Sequence, residues 1–141
     1  MSGLYFTVWD ELDILSKPTK SGWPHITFGS CGKKLSHSTL KQTAKDLYTD
    51  TVLKYVVLNE AFVPEGTNNV LLRVDPSCET AKTIERWRKL VNRKHLKGTF
   101  HMVDLHIVYQ ICETWKKANC VCNDINIRLP HNVQITGITI D

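Results

Sequence analysis

The sequence predicts an α+β fold, with a mainly antiparallel sheet and helices packed against its outside. Three observations predict it. Segments rich in aromatic and β-branched residues alternate with segments whose apolar residues recur at helical spacing. A Pro-Glu-Gly-Thr-Asn stretch at 64–68 joins two apolar runs, as a hairpin turn does. Hairpins mixed with crossover helices belong to a sheet whose helices lie outside it. With 141 residues and no visible linker, one domain spanning 1–141 is expected.

Leu4–Trp9 (LYFTVW) reads as the first strand. Lys17–Gly22 is a loop by its Pro, Ser and Gly content. Pro24–Phe28 (PHITF) is a second strand that stops at Gly29. Ser36 and Ser38 are candidate N-caps of a helix in which Leu40, Ala44, Leu47 and Tyr48 form one stripe. Val52–Val63 and Asn69–Asp75 are the hairpin strands. Pro76 and Ser77 open a second helix, striped by Ala81, Ile84, Trp87 and Val91 and ending near Gly98. His101–Ile111 is a strand, followed by a short helix around Glu113–Ala118. Asp124–Leu129 and Val133–Ile140 close the chain as alternating strands around a Pro-His-Asn turn.

Composition narrows the class. With 42% hydrophobic and 23% charged residues, the chain is neither disordered nor fibrous. Its length suffices to bury a core without disulfide or metal. No apolar run approaches the roughly 20 residues needed to span a bilayer. Met1–Asp13 carries acids and no basic stretch, so no secretory signal is expected. Five cysteines at irregular spacing fit reduced thiols, and a cytoplasmic protein is expected. Cys120-Val-Cys122 lacks the second pair a zinc site needs. Arg86, Arg88, Lys89, Arg93, Lys94 and Lys97 form an acid-free basic run. Such a run steers anions or simply solvates a helix face.

The sharpest feature is a near-repeat. Residues 25–28 read His-Ile-Thr-Phe, and residues 106–109 read His-Ile-Val-Tyr. Strand alternation puts His25 and Thr27 on one face, with Ile26 and Phe28 on the other. The second copy puts His106 and Val108 together, with Ile107 and Tyr109 opposite. Two imidazoles flanking a phosphodiester divide its cleavage between them: one takes a proton from the attacking oxygen, the other protonates the leaving oxygen. A hydroxyl such as Thr27 donates to a non-bridging oxygen and holds the developing charge. The sequence has no H-E-x-x-H, EF-hand loop, P-loop or G-x-S-x-G, so no metal or cofactor is expected. His101 and His131 are rivals for the second histidine. Tyr5, Trp23 and Tyr109 are aromatic residues on which a base would stack, or are packing residues.

A full H-x-[ST]-hydrophobic motif at 25–28 and a partial copy at 106–109, about 80 residues apart, resemble the paired motifs of the two-histidine (2H), or LigT-like, phosphoesterases. The resemblance implies a bilobal fold around a central groove, with one motif in each lobe. It also implies catalysis by His25 and His106 and substrate binding by Thr27 and the residue at position 108. Family members act on 2′,3′-cyclic phosphates, 2′-5′ linkages or cyclic dinucleotides such as cGAMP, and some viral members blunt nucleotide immune signalling. Val108 departs from the family's Thr or Ser and cannot donate a hydrogen bond. The expected protein is a standalone phosphodiesterase for a small nucleotide or short oligonucleotide, with no membrane or stable duplex partner. The alternative is a catalytically impaired module on the same fold that binds a nucleotide or RNA end.

Overall fold

Burial alternates along the strands, and that alternation decides what each face of the sheet meets. The computed structural model describes residues 2–9, 24–31, 36–95 and 104–140. The Lys17–Gly22 loop, Trp23, Lys97, the helix end near Gly98, and His101 lie outside the described residues. In chain order the elements are β1 (Ser2–Trp9), β2 (His25–Cys31), α1 (His37–Thr51), β3 (Tyr55–Phe62), β4 (Asn69–Val74), α2 (Glu79–His95), β5 (His106–Ile111), α3 (Trp115–Asn126) and β6 (His131–Ile140). The strands form one six-stranded sheet, ordered β2-β1-β6-β3-β4-β5. Every neighbouring pair is antiparallel. The expected α+β class is therefore present.

Leu4 and Phe6, Ile26 and Phe28, Val56 and Leu58, Leu72 and Val74, Ile107, Val133 and Ile135 all turn to one face. There they join Leu40 and Leu47 of α1, Ala81, Ile84 and Val91 of α2, and Ala118, Cys122 and Ile125 of α3 in a single cluster. Each large aliphatic buried this way stabilises by roughly 1.5–3 kcal/mol. The helices thus share one face of the sheet, and the alternate strand residues occupy the far face. No helix among the described residues is long and apolar enough to cross a membrane.

Local chemistry starts and ties the helices. The Ser36 hydroxyl accepts from the Thr39 amide at 3.2 Å and caps α1. At the entrance to α2, the Ser77 hydroxyl and amide both donate to Asp75 Oδ1 and hold its carboxyl below the usual carboxylate range. The Trp87 indole donates to Asp50 Oδ2 at 2.8 Å and fastens α2 to α1.

Three expectations are corrected. Strand β3 starts at Tyr55, because Val52 and Leu53 form a turn. Leu53 takes a left-handed φ of 70° there, and its amide donates to the Ile135 carbonyl at 2.8 Å. Strand β2 runs past Gly29 to Cys31. The third correction is the largest. Asp124–Leu129 is not a strand, because α3 runs to Asn126. Ala118, Cys122 and Ile125 recur at i, i+4 and i+7, which is helical spacing. The alternation of Ile125, Ile127 and Leu129 is incidental, since Ile127 is 84% exposed.

Asn126 nonetheless takes part in the sheet. Strand β6 pairs with β3 only from Tyr55 to Leu58. Beyond that point the Asn126 side-chain amide accepts from the Ala61 N–H at 2.8 Å and donates to the Ala61 carbonyl at 3.1 Å. The side chain stands in for the missing strand.

The sheet is curved enough that Cα atoms of its two edge strands, β2 and β5, come within 8 Å of each other. Arg88 of α2 closes the seam. Its side chain is 1% exposed. Nε donates to the Phe28 carbonyl at 2.8 Å, Nη2 to the Thr27 carbonyl at 3.1 Å, and Nη1 to Glu85 at 2.8 Å. Successive carbonyls of a regular strand point to opposite sides. The β1–β2 register slips here, with Leu4 opposite Gly29 and Tyr5 opposite Thr27. This bulge turns both carbonyls toward one guanidinium. Burial pushes the Arg88 pKa down, while the charges of Glu85 and Asp104 oppose the shift. Arg88 is therefore a buried structural cation and not a steering charge, although Arg86 and Lys89 of the same run are exposed.

Two stability predictions follow from these contacts. Arg88→Met leaves two buried carbonyls without their donor and should cost about 2–5 kcal/mol in urea unfolding. A change below about 0.5 kcal/mol would remove Arg88 as the seam. Asn126→Ala should cost about 1–3 kcal/mol. Amide exchange at Ala61 should quicken with it; unchanged exchange would show that the strand-like clamp is unimportant.

Candidate active site

Four of the sequence-predicted residues, His25, Thr27, His106 and Val108, lie on the far face of the sheet. Strand alternation sets this: their neighbours Ile26, Phe28 and Ile107 are buried among the helices. His25 stands opposite Thr7 on β1, and Thr27 stands opposite Tyr5. The Tyr5 ring meets the His25 ring edge-on, with centroids 5.2 Å apart and planes at 84°. Tyr5 can lie there because residue 3 is glycine. A methyl group on Gly3 would sit 2.8 Å from the Tyr5 hydroxyl and 3.2 Å from the Gly29 carbonyl.

His106 opens β5 and stands opposite Arg73 on β4. Its Nδ1 lies 2.8 Å from the Asp104 carbonyl oxygen. A carbonyl can only accept, so Nδ1 carries the proton. That fixes the tautomer: neutral His106 presents a lone pair at Nε2, and the cation presents an N–H there. Val108 stands opposite Leu71 and supplies no donor.

The two histidines are on strands at opposite ends of the sheet order, yet these are the strands that the curvature brings together. The seam lies beside both. Arg88 binds the Thr27 carbonyl directly and feels the charge of Asp104, two residues before His106. A cavity of about 320 Å³ adjoins it, lined by Arg73, Glu85, Arg88 and Asp104 among others.

Other expected residues fall elsewhere. Tyr109 turns away from His106 and packs against the core cluster. His131 is buried at the start of β6, on the helix side with Val133 and Ile135 and opposite Leu58. That placement removes it from the far face. Cys120 and Cys122 lie two positions apart on α3, so they point in different directions and cannot grip one ion. Burial, with a smaller contribution from the Glu60 charge, pushes the Cys122 thiol pKa up and away from a reactive thiolate. Among the described residues, no group of three or more His, Cys, Asp or Glu side chains is placed to hold a metal.

No protein-family model and no curated protein matches this chain. The reading of the site therefore rests on its own geometry. Gly3, Thr7 and Arg73 lie outside the two motifs, yet stand beside the histidine strands. Arg73 did leave a signal: it is the single charge in Asn69–Val74 (NVLLRV), at a position that alternation sends to the far face.

The Tyr5–His25 contact yields a prediction free of any substrate. Tyr5→Leu and Gly3→Ala should each shift the His25 imidazole proton resonances, by removing or displacing the ring, while Tyr5→Phe should leave them nearly in place. Identical His25 spectra in all three variants would dissolve the contact.

Proposed function

We propose that this chain is a phosphodiesterase in which His25 and His106 share acid and base catalysis without a metal ion. The observation that carries the proposal is their common placement. Both imidazoles lie on the far face, at the two sheet edges that approach each other. The fixed His106 tautomer adds support, because Nε2 is left to exchange a proton with a substrate oxygen. As the attacking oxygen bonds to phosphorus, one histidine takes its proton. The other protonates the leaving oxygen as its P–O bond breaks. Thr27 donates to a non-bridging oxygen.

The sheet also supports the finer 2H reading. It divides into halves β2-β1-β6 and β5-β4-β3, each with its motif strand outermost, joined through the β6–β3 pair. We read these as the two lobes. The substrates that fit are small nucleotides in the cytoplasm: 2′,3′-cyclic phosphates, cyclic dinucleotides such as cGAMP, or 2′-5′-linked oligonucleotides. Degrading such second messengers is one way to blunt nucleotide immune signalling. One observation favours a second reading. Val108 offers no hydrogen bond, and a module that binds without turnover would tolerate this loss.

A turnover panel of these three substrate classes, run in EDTA, tests the proposal. Wild type should turn over one class. His25→Ala and His106→Ala should each lower kcat/KM by roughly 10²–10⁴, and the rate should follow a bell-shaped pH profile. Activity that survives His106→Ala, or collapses with chelator, would overturn the mechanism. Nucleotide binding without turnover would put the binding module first.

A further inference from the structure

Arg73 is the charged residue that the strand register sets beside His106. It stands directly opposite His106 in the β4–β5 register, on the far face. Side chains so paired start about 4.5–5.5 Å apart at Cβ. Its guanidinium lies 4.7 Å from the centre of the Phe62 ring, which holds its plane. Nη1 is 3.6 Å from Glu60, but this pair is loose: the side chains are 37% and 53% exposed. Exposed pairs of this kind contribute little, and a phosphate can displace the carboxylate. Nε is different. It is buried and has no hydrogen-bond partner. A buried unpaired N–H costs stability, and natural folds rarely keep one without a use.

Resting on the phosphodiesterase reading, we propose that Arg73 binds the scissile phosphate beside His106 and supplies the donor that Val108 lacks. Thr27 serves the phosphate from the β2 side, and Arg73 serves it from the β5 side. An arginine fork offers two parallel donors and a full charge, so it can replace a hydroxyl in holding a non-bridging oxygen. The two motifs are then functionally complete although only the first is complete in sequence. The ligand class is a phosphodiester or phosphate dianion, recognised through its oxygens.

The test separates this role from a structural one. Arg73→Met keeps the packing on Phe62 and removes the donors. It should lower kcat/KM roughly 10²–10³-fold, as loss of one charge-stabilising donor does. The urea midpoint should stay or rise, because the unpaired Nε disappears. Val108→Thr in that background should restore part of the lost rate. In parallel, inorganic phosphate is titrated against the His106 resonances, which should move in wild type and not in Arg73→Met. If wild type turns over substrate and Arg73→Met does so equally well, the inference is overturned while the phosphodiesterase reading stands. If wild type turns over nothing but phosphate moves His106 only when Arg73 is present, the anion site stands and the enzyme reading falls. Phosphate that moves His106 equally in both proteins, or in neither, overturns the anion site.

Discussion

A sheet whose two edges face each other needs something to hold the seam, and here it is the buried guanidinium of Arg88. Two strand edges without a ladder leave polar backbone groups that demand partners. Arg88 answers part of that demand on β2 with a rigid fork, while Glu85 answers its charge. Desolvating a guanidinium is costly, and a hydrophobic closure would be cheaper if stability alone mattered. What the cation provides is geometry. It fixes the β2 bulge from outside the sheet and sits beside the Asp104 that precedes β5. The curvature that brings the histidine strands together therefore depends on a residue whose own side chain lies on the helix side.

The far face is organised by cross-strand neighbours more than by sequence neighbours. His25 is set against the Tyr5 ring, which has its place because Gly3 has no side chain. His106 is set by the carbonyl two residues before it, which decides the ring nitrogen that carries the proton. The His106 arrangement uses a backbone carbonyl, which does not titrate.

Much of this was legible in the sequence. Alternating Ile and Phe around His25, and Ile107 beside His106, revealed the strands and their faces, because one face meets helices and burial enforces period two. The stripe of Ala81, Ile84 and Val91 revealed α2 for the same reason. What was illegible had a physical cause in each case. Arg88 shares a basic run with Arg86 and Lys89, which are exposed, yet it falls between Ile84 and Val91 on the buried stripe, and the carbonyls that partner it there come from a distant strand. The end of α3 carries Ile125, Ile127 and Leu129 at strand-like spacing, yet its last residue completes a strand through a side-chain amide. Arg73 was marked only as a lone charge in an apolar strand, and its pairing with His106 was illegible because that residue comes from another strand.

A threonine two positions after a strand histidine presents its hydroxyl on the same face at one strand's width. Directly across the ladder, a residue on the next strand reaches the same space from the side. On the proposed reading, a donor could meet a phosphate at His106 by two routes, along β5 or across from β4. Valine at 108 closes the first route and leaves the second, where the Arg73 guanidinium stands opposite His106. A hydroxyl is neutral and short, whereas a guanidinium is charged and long. The exchange would set the fuller positive charge on the β5 side of the one scissile phosphate that Thr27 meets from the β2 side. On the proposed reading, the asymmetry between the two motifs is then a change of donor, from β5 to β4.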